Sequence, residues 1–118
     1  MRRIDSGIIS LAGAIKAGCH LRSRQCFGSY LDGRDGACAL GSAFVSGKLY
    51  VATDESMPRI ITKELMKRFS ILESRSKCPF ECGFIEPEDL INVITHLNDV
   101  HKLSRGEIVE WLTTEKLC

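Results

Sequence analysis

The segment "KCPFECGFIEPEDLINVITHLNDVHKLSRGEIVEWL", residues 77–112, sets two cysteines against two histidines across an apolar stretch with helical periodicity. Three residues separate Cys78 from Cys82, thirteen separate Cys82 from His96, and four separate His96 from His101. A tight turn offering two thiolates, followed by a helix offering two imidazoles, is close to the spacing of two-cysteine, two-histidine zinc sites. Zinc accepts this mixed set of soft and borderline ligands. Four protein ligands leave no open position for substrate or water, so such a site is structural rather than catalytic. On an ideal helix, at about 100° per residue, positions five apart diverge by roughly 140°. His96 and His101 therefore converge only if the last helical turn loosens, and Lys102 and Leu103, lying just before the next helix start, make that the expected place.

Two other readings fit the same residues. A redox pair would be one residue longer than Cys-x-x-Cys, and no thioredoxin-like alternation of strand and helix surrounds it. Without metal, the cysteines would be small hydrophobes and the histidines polar surface residues. Phe84 and Val93 only loosely meet the Phe and Leu positions usual between the ligand pairs of a finger. Asn98 and Asp99 are either polar residues on the solvent side of the helix or acceptors that fix the tautomer of a zinc-bound imidazole.

Helix signals surround the quartet. Pro87, Glu88 and Asp89 suit a first helical turn, where proline lacks only an orphaned donor and acids meet the positive end of the dipole. Leu90, Val93, Ile94, Leu97 and Val100 make the apolar stripe of that helix. A second helix starts at Ser104, which forms a capping box with Glu107, while Leu103 and Ile108 are placed to close a hydrophobic staple. Ile108, Trp111 and Leu112 face inward.

Upstream, Ile8, Leu11, Ala12 and Ile15 predict an amphipathic helix stopped at Gly18. Asp5 and Lys16 interrupt the apolar core that a lipoprotein signal ending at Cys19 would need, so the cysteines are expected in a reducing, cytoplasmic setting. Turn-forming residues fill 22–36, a short buried helix occupies 37–47 and ends at Gly47, and 48–53 reads as a brief strand. Asp54, Ser56 and Pro58 announce a helix with Ile61, Leu65 and Phe69 on its inner face. "ESRSK", residues 73–77, is a polar connector.

Charge divides the chain. Residues 1–77 carry thirteen Lys/Arg against seven Asp/Glu, a balance of +6, and residues 78–118 carry three against eight, a balance of −5. The helix of the Cys/His segment opens with Glu86, Glu88 and Asp89, which would repel phosphates, so it does not read as a DNA-recognition helix. Nucleic acid would instead meet the basic half through Arg22, Arg24, Lys67 and Arg68. "GACALGSA", residues 36–43, puts Cys38 among small residues, where it could act as a nucleophile with His20 as base, although the spacing is not that of a nucleophile elbow. Cys19, His20, Cys26 and Cys38 follow no regular ligand spacing as a second metal site, and Cys118 reads as a terminal thiol.

The segments "ACALG" (37–41), "HLNDVH" (96–101) and "SRGEIVEWL" (104–112) resemble a group of short, uncharacterised bacterial and prophage-type proteins. In that group the cysteine pair is typically one residue closer than Cys78 and Cys82. The resemblance implies a bacterial or phage origin and supplies no activity.

At 118 residues, with 44% hydrophobic and 26% charged, the chain has the length and composition of one globular domain. The expected fold is mainly α with minor β: a basic helical part over 1–72, the connector 73–77, and an acidic zinc-binding part over 78–118. A short, hairpin-like cysteine turn would pack there on two C-terminal helices. The expected function is a non-catalytic adaptor that uses zinc as a folding staple and docks on protein, with no membrane span. The alternatives are nucleic-acid binding through the basic half and a thiol-dependent enzyme acting through Cys38.

Overall fold

Helix α1, Leu11–Leu21, begins at Ser10, whose hydroxyl accepts the Gly13 N–H at 3.0 Å. That bond satisfies one of the donors a helix start leaves orphaned. The computed structural model describes residues 10–46, 58–80, 82 and 86–117. Ile8, Gly47, the strand expected at 48–53, Asp54, Ser56, Phe84 and Cys118 lie outside the described residues.

The helix expected to stop at Gly18 continues to Leu21. Gly18 is buried where α1 crosses helix α2, Ala39–Ser46. A Cβ at position 18 would overlap the Ser42 carbonyl oxygen, so the missing side chain serves close packing rather than termination. Helix α2 is buried from Ala39 to Val45, as its run of small and apolar residues requires. Gly41 repeats the device, since a Cβ there would overlap the Tyr30 carbonyl.

Three two-residue strands connect α1 to α2: β1 Arg24–Gln25, β2 Leu31–Asp32 and β3 Gly36–Ala37. The central β3 runs parallel to β1, pairing Arg24 with Gly36, and antiparallel to β2, pairing Leu31 with Ala37. Gly28 and Gly33 take left-handed φ values of 82° and 66° in the intervening turns. Helix α3, Pro58–Arg68, buries Ile61 and Leu65, and a 3-10 turn at Ser70–Glu73 buries Leu72. Phe69 between them is also buried.

The stretch expected as a connector then forms strand β4, Arg75–Ser76, antiparallel to β5, Glu88–Asp89, with Arg75 opposite Asp89 and Ser76 opposite Glu88. Pro87, Glu88 and Asp89 therefore precede helix α4, Leu90–Asp99, instead of forming its first turn. Local partners account for the difference. Leu90 N–H donates to the Ser74 carbonyl at 2.7 Å, and Arg75 donates to the Pro87 carbonyl and to the Asp89 carboxylate. Asp89 occupies the N-cap position but makes no side-chain cap, its carboxylate being paired with Arg75.

Helix α5, Arg105–Thr114, starts with the expected capping box. Ser104 Oγ accepts Glu107 N–H at 3.0 Å, and the Glu107 carboxylate accepts Ser104 N–H at 2.8 Å. Ile108 and Leu112 are fully buried, Trp111 partly so, and Leu103 packs against the core.

One apolar cluster draws residues from all five helices and joins the basic part to the acidic part. Leu90, Val93, Ile94 and Leu97 of α4 belong to it, but Val100 is 62% exposed. Val100 keeps helical backbone angles as the C-cap of α4, but it stands past the part of the helix that packs into the apolar cluster. The architecture is mainly α with minor β, and no helix among the described residues is long and apolar enough to cross a membrane.

Candidate metal centre

Strands β4 and β5 form the base of a hairpin whose loop carries Cys78 and Cys82, and β5 runs directly into α4, which carries His96. The unit is thus a ββα arrangement built into the larger helical fold. Among the described residues, the candidate ligand atoms of Cys78, Cys82, His96 and His101 all lie within 4.8 Å of one another. The two sulfurs are 3.8 Å apart. Cys82 Sγ is 3.4 Å from His96 Nε2, and Cys78 Sγ is 3.5 Å from His101 Nε2.

The loosened turn needed to bring both imidazoles together is present. Val100 N–H makes the ordinary helical bond to the His96 carbonyl at 2.9 Å, while His101 N–H reaches the same carbonyl at 3.3 Å across one more residue. Lys102 then adopts a left-handed φ of 55°, and Leu103 N–H returns to the Leu97 carbonyl at 3.1 Å. This wider terminal turn swings His101 back over His96, and the two rings meet edge to face at 4.7 Å. Phe80, from the cysteine loop, covers the outer side of His101 with ring centroids 4.6 Å apart.

Burial, followed by the neighbouring His101, lowers the His96 pKa, favouring the neutral imidazole that binds metals. Burial raises the Cys78 thiol; the Phe80 N–H donated to its sulfur works the other way, and nearby Cys82 adds to the rise. A cation among these groups would reverse that preference and hold the sulfurs as thiolates. The four residues can thus hold a metal ion with a closed set of protein ligands.

Asn98 and Asp99 do different work from that expected. Asn98 is 1% exposed. Its Oδ1 accepts Gln25 Nε2 at 2.8 Å and Ala39 N–H at 3.2 Å, and its Nδ2 donates to the Cys26 carbonyl and to Asp99 Oδ1. Asp99 also accepts Gly28 N–H at 3.0 Å. These bonds tie α4 to the small sheet of the basic part. Gln25 extends the tie, donating to the Leu103 carbonyl and accepting Arg105 N–H.

The four cations proposed for nucleic acid do not assemble into one free patch. Arg22 is 8% exposed and donates to the Gly33 and Gly36 carbonyls. Arg68 donates to the Phe44 carbonyl, lies 3.5 Å from the Glu64 carboxylate, and stacks over Phe44 and Phe69, with burial lowering its pKa. Arg24 is exposed but paired with Asp32 and Asp35, and Lys67 is exposed on α3.

Cys38 is 7% exposed, accepts Gly41 N–H at 3.3 Å, and is pushed up to about 12 by burial. A thiol held protonated in this way is a poor nucleophile. His20 lies in a separate cleft with Lys16, Cys19 and Arg105. Cys19, His20, Cys26 and Cys38 form no ligand group among the described residues.

The sequence did not disclose Arg105. It is 8% exposed and donates to the Arg22, Ala37 and Ser23 carbonyls and to Ser42 Oγ. Its place at a helix start gave no sign of this. The aromatic role of Phe80 had a signal, since it stands inside the cysteine loop. The chain matches no family model, no curated protein and no solved structure.

Proposed function

We propose that this chain is a non-catalytic adaptor whose cysteine hairpin is fastened to α4 by a structural zinc ion, and that it acts by docking on another protein. The observation that carries the zinc reading is the spacing of the ligand atoms. With Zn–S of about 2.3 Å and Zn–N of about 2.0–2.1 Å, tetrahedral angles place sulfurs about 3.8 Å apart and sulfur about 3.5–3.6 Å from nitrogen. The distances here are 3.8 Å between sulfurs and 3.4 and 3.5 Å from sulfur to nitrogen.

None of the described residues between 77 and 87 is buried, so among them hydrophobic burial contributes little, whereas structural zinc in finger peptides binds with about 10–16 kcal/mol. Docking on protein is supported by the exposed Phe27, Phe80 and Val100 near the metal end of α4, each 44% exposed or more. Nucleic-acid binding through the basic part finds less support, because Arg22 and Arg68 are engaged internally.

Metal analysis of the protein prepared without added zinc tests the reading, with one zinc per chain expected. A strong chelator should lower the melting temperature and speed amide exchange over 77–87 and the end of α4. The helical far-UV signal at room temperature should largely remain, since the apolar core lies outside the loop. His101→Ala should reproduce the chelator's effect. Absence of bound zinc, together with melting unchanged by chelator, would remove the staple.

A further inference from the structure

The ligands are divided in a way that bears on control. Both sulfurs come from the hairpin loop, and both imidazoles come from the end of α4. Any chemistry that consumes the two sulfurs together removes every ligand on one side of the clamp and leaves two imidazoles that hold nothing to the loop. The sulfurs are 3.8 Å apart with three residues between them, so a disulfide of about 2.05 Å needs only a local closure of the loop.

The other described thiols are placed differently. Cys26 and Cys38 are 4% and 7% exposed, whereas Cys78 and Cys82 are both partly accessible. Cys19 is also partly accessible, but it lies on α1, in a different cleft.

Resting on the zinc reading above, we propose that the centre is a thiol switch. A peroxide converts Cys78 and Cys82 into a disulfide within the loop, ejects the zinc ion and frees the hairpin from α4. One thiolate attacks the peroxide O–O bond and becomes a sulfenic acid, and the departing hydroxide is protonated to water. The second thiolate attacks the sulfenic sulfur, forms the S–S bond and expels a second hydroxide, which is also protonated to water. Two electrons pass from the sulfur pair to peroxide and two protons are taken from solvent. The metal leaves because neither sulfur retains the negative charge that bound it. The freed loop carries Phe80 off His101, so the exposed surface at the end of α4 changes with the metal. A dithiol reductant with zinc restores the clamp.

The test uses the full chain whose zinc content has first been measured. Hydrogen peroxide is titrated in while a chromogenic indicator reports released zinc and peptide mass spectrometry maps the disulfide. The expected result is one zinc released per peroxide consumed, a Cys78–Cys82 disulfide, and recovery of bound zinc on adding dithiothreitol and zinc. Cys19→Ser should release zinc identically. Cys82→His, which has no second thiol at that position, should form no loop disulfide and should leave Cys78 as a sulfenic acid that a dimedone probe traps. Wild-type protein that holds zinc through excess peroxide would overturn the switch and leave the structural zinc intact. Release through a disulfide to Cys19, or with the pair ending as sulfinic acid, would also overturn it. Protein that carries no zinc at the outset would overturn the structural reading itself.

Discussion

Replacing Asn98 with leucine, which is similar in size, tests whether the polar tie between α4 and the small sheet positions this fold. The substitution deletes bonds to Gln25, Ala39, Cys26 and Asp99. Gln25 keeps the Leu103 carbonyl and Asp99 keeps Gly28 N–H, so those two groups remain partnered. Ala39 N–H and the Cys26 carbonyl lose the partner Asn98 supplied, and both belong to buried residues. At about 1–3 kcal/mol for each buried group left unsatisfied, the cost is about 2–6 kcal/mol. Set against a total of roughly 6–18 kcal/mol for a chain of this length, that is a large share. Urea unfolding of zinc-loaded protein, followed by circular dichroism, should show the midpoint falling by about 2 M for a mid-range loss of about 4 kcal/mol and a slope of about 2 kcal/mol/M. A fall of less than about 0.5 M at unchanged slope would refute the reasoning, because the two backbone groups would then have found other partners.

Gly18→Ala should lower the melting temperature through overlap with the Ser42 carbonyl, about 1–3 kcal/mol of overpacking outweighing the roughly 1 kcal/mol that alanine contributes in a helix; a raised melting temperature would mean that α1 and α2 can separate freely. Ser104→Ala should cost about 1 kcal/mol in urea unfolding by removing the capping-box acceptor. Cys38 gives a pH dependence whose sign is fixed. Its thiol is raised from 9.0 to about 12 on folding, so the unfolded chain loses that proton first and stability falls as pH rises from about 9 towards 12. Unfolding free energies from urea titrations at pH 8 and pH 10 should therefore differ more for the wild type than for Cys38→Ala, by up to about 1.4 kcal/mol per pH unit above about 9.

What the sequence disclosed was local. The capping box needs only Ser104 and Glu107 three apart, and the Cys/His quartet needs only its spacing and a helix that loosens after His96; both are present. What it concealed depends on distant partners. Two-residue strands such as β4 and β5 are too short to show alternation, so Arg75–Ser76 looked like connector and Glu88–Asp89 like a helix start. Gly18 carried the ordinary mark of a helix end, and only the position of α2 shows that it serves packing. Arg22 and Arg68 looked like surface cations, and Arg105 like part of a helix start, because the carbonyls that receive them lie far along the chain or across the fold. Asn98 was placed next to the imidazoles by sequence order, but the helix turns its side chain to the opposite business of bonding the small sheet.

Helix α4 thereby sits between two kinds of hold, and this shapes what the ββα unit can do. Six of its ten residues, Leu90, Ile91, Val93, Ile94, Leu97 and Asn98, are buried, so the helix is committed to the core along most of its length. The apolar residues and Asn98 secure the helix to the rest of the molecule without involving the cysteine loop. On the zinc reading, the four Cys and His side chains would add a separate fastening between the cysteine loop and the end of the helix. If the proposed clamp opens, the surface around Phe80 and His101 would change state while the apolar core, whose fully buried members lie outside the cysteine loop, stays folded.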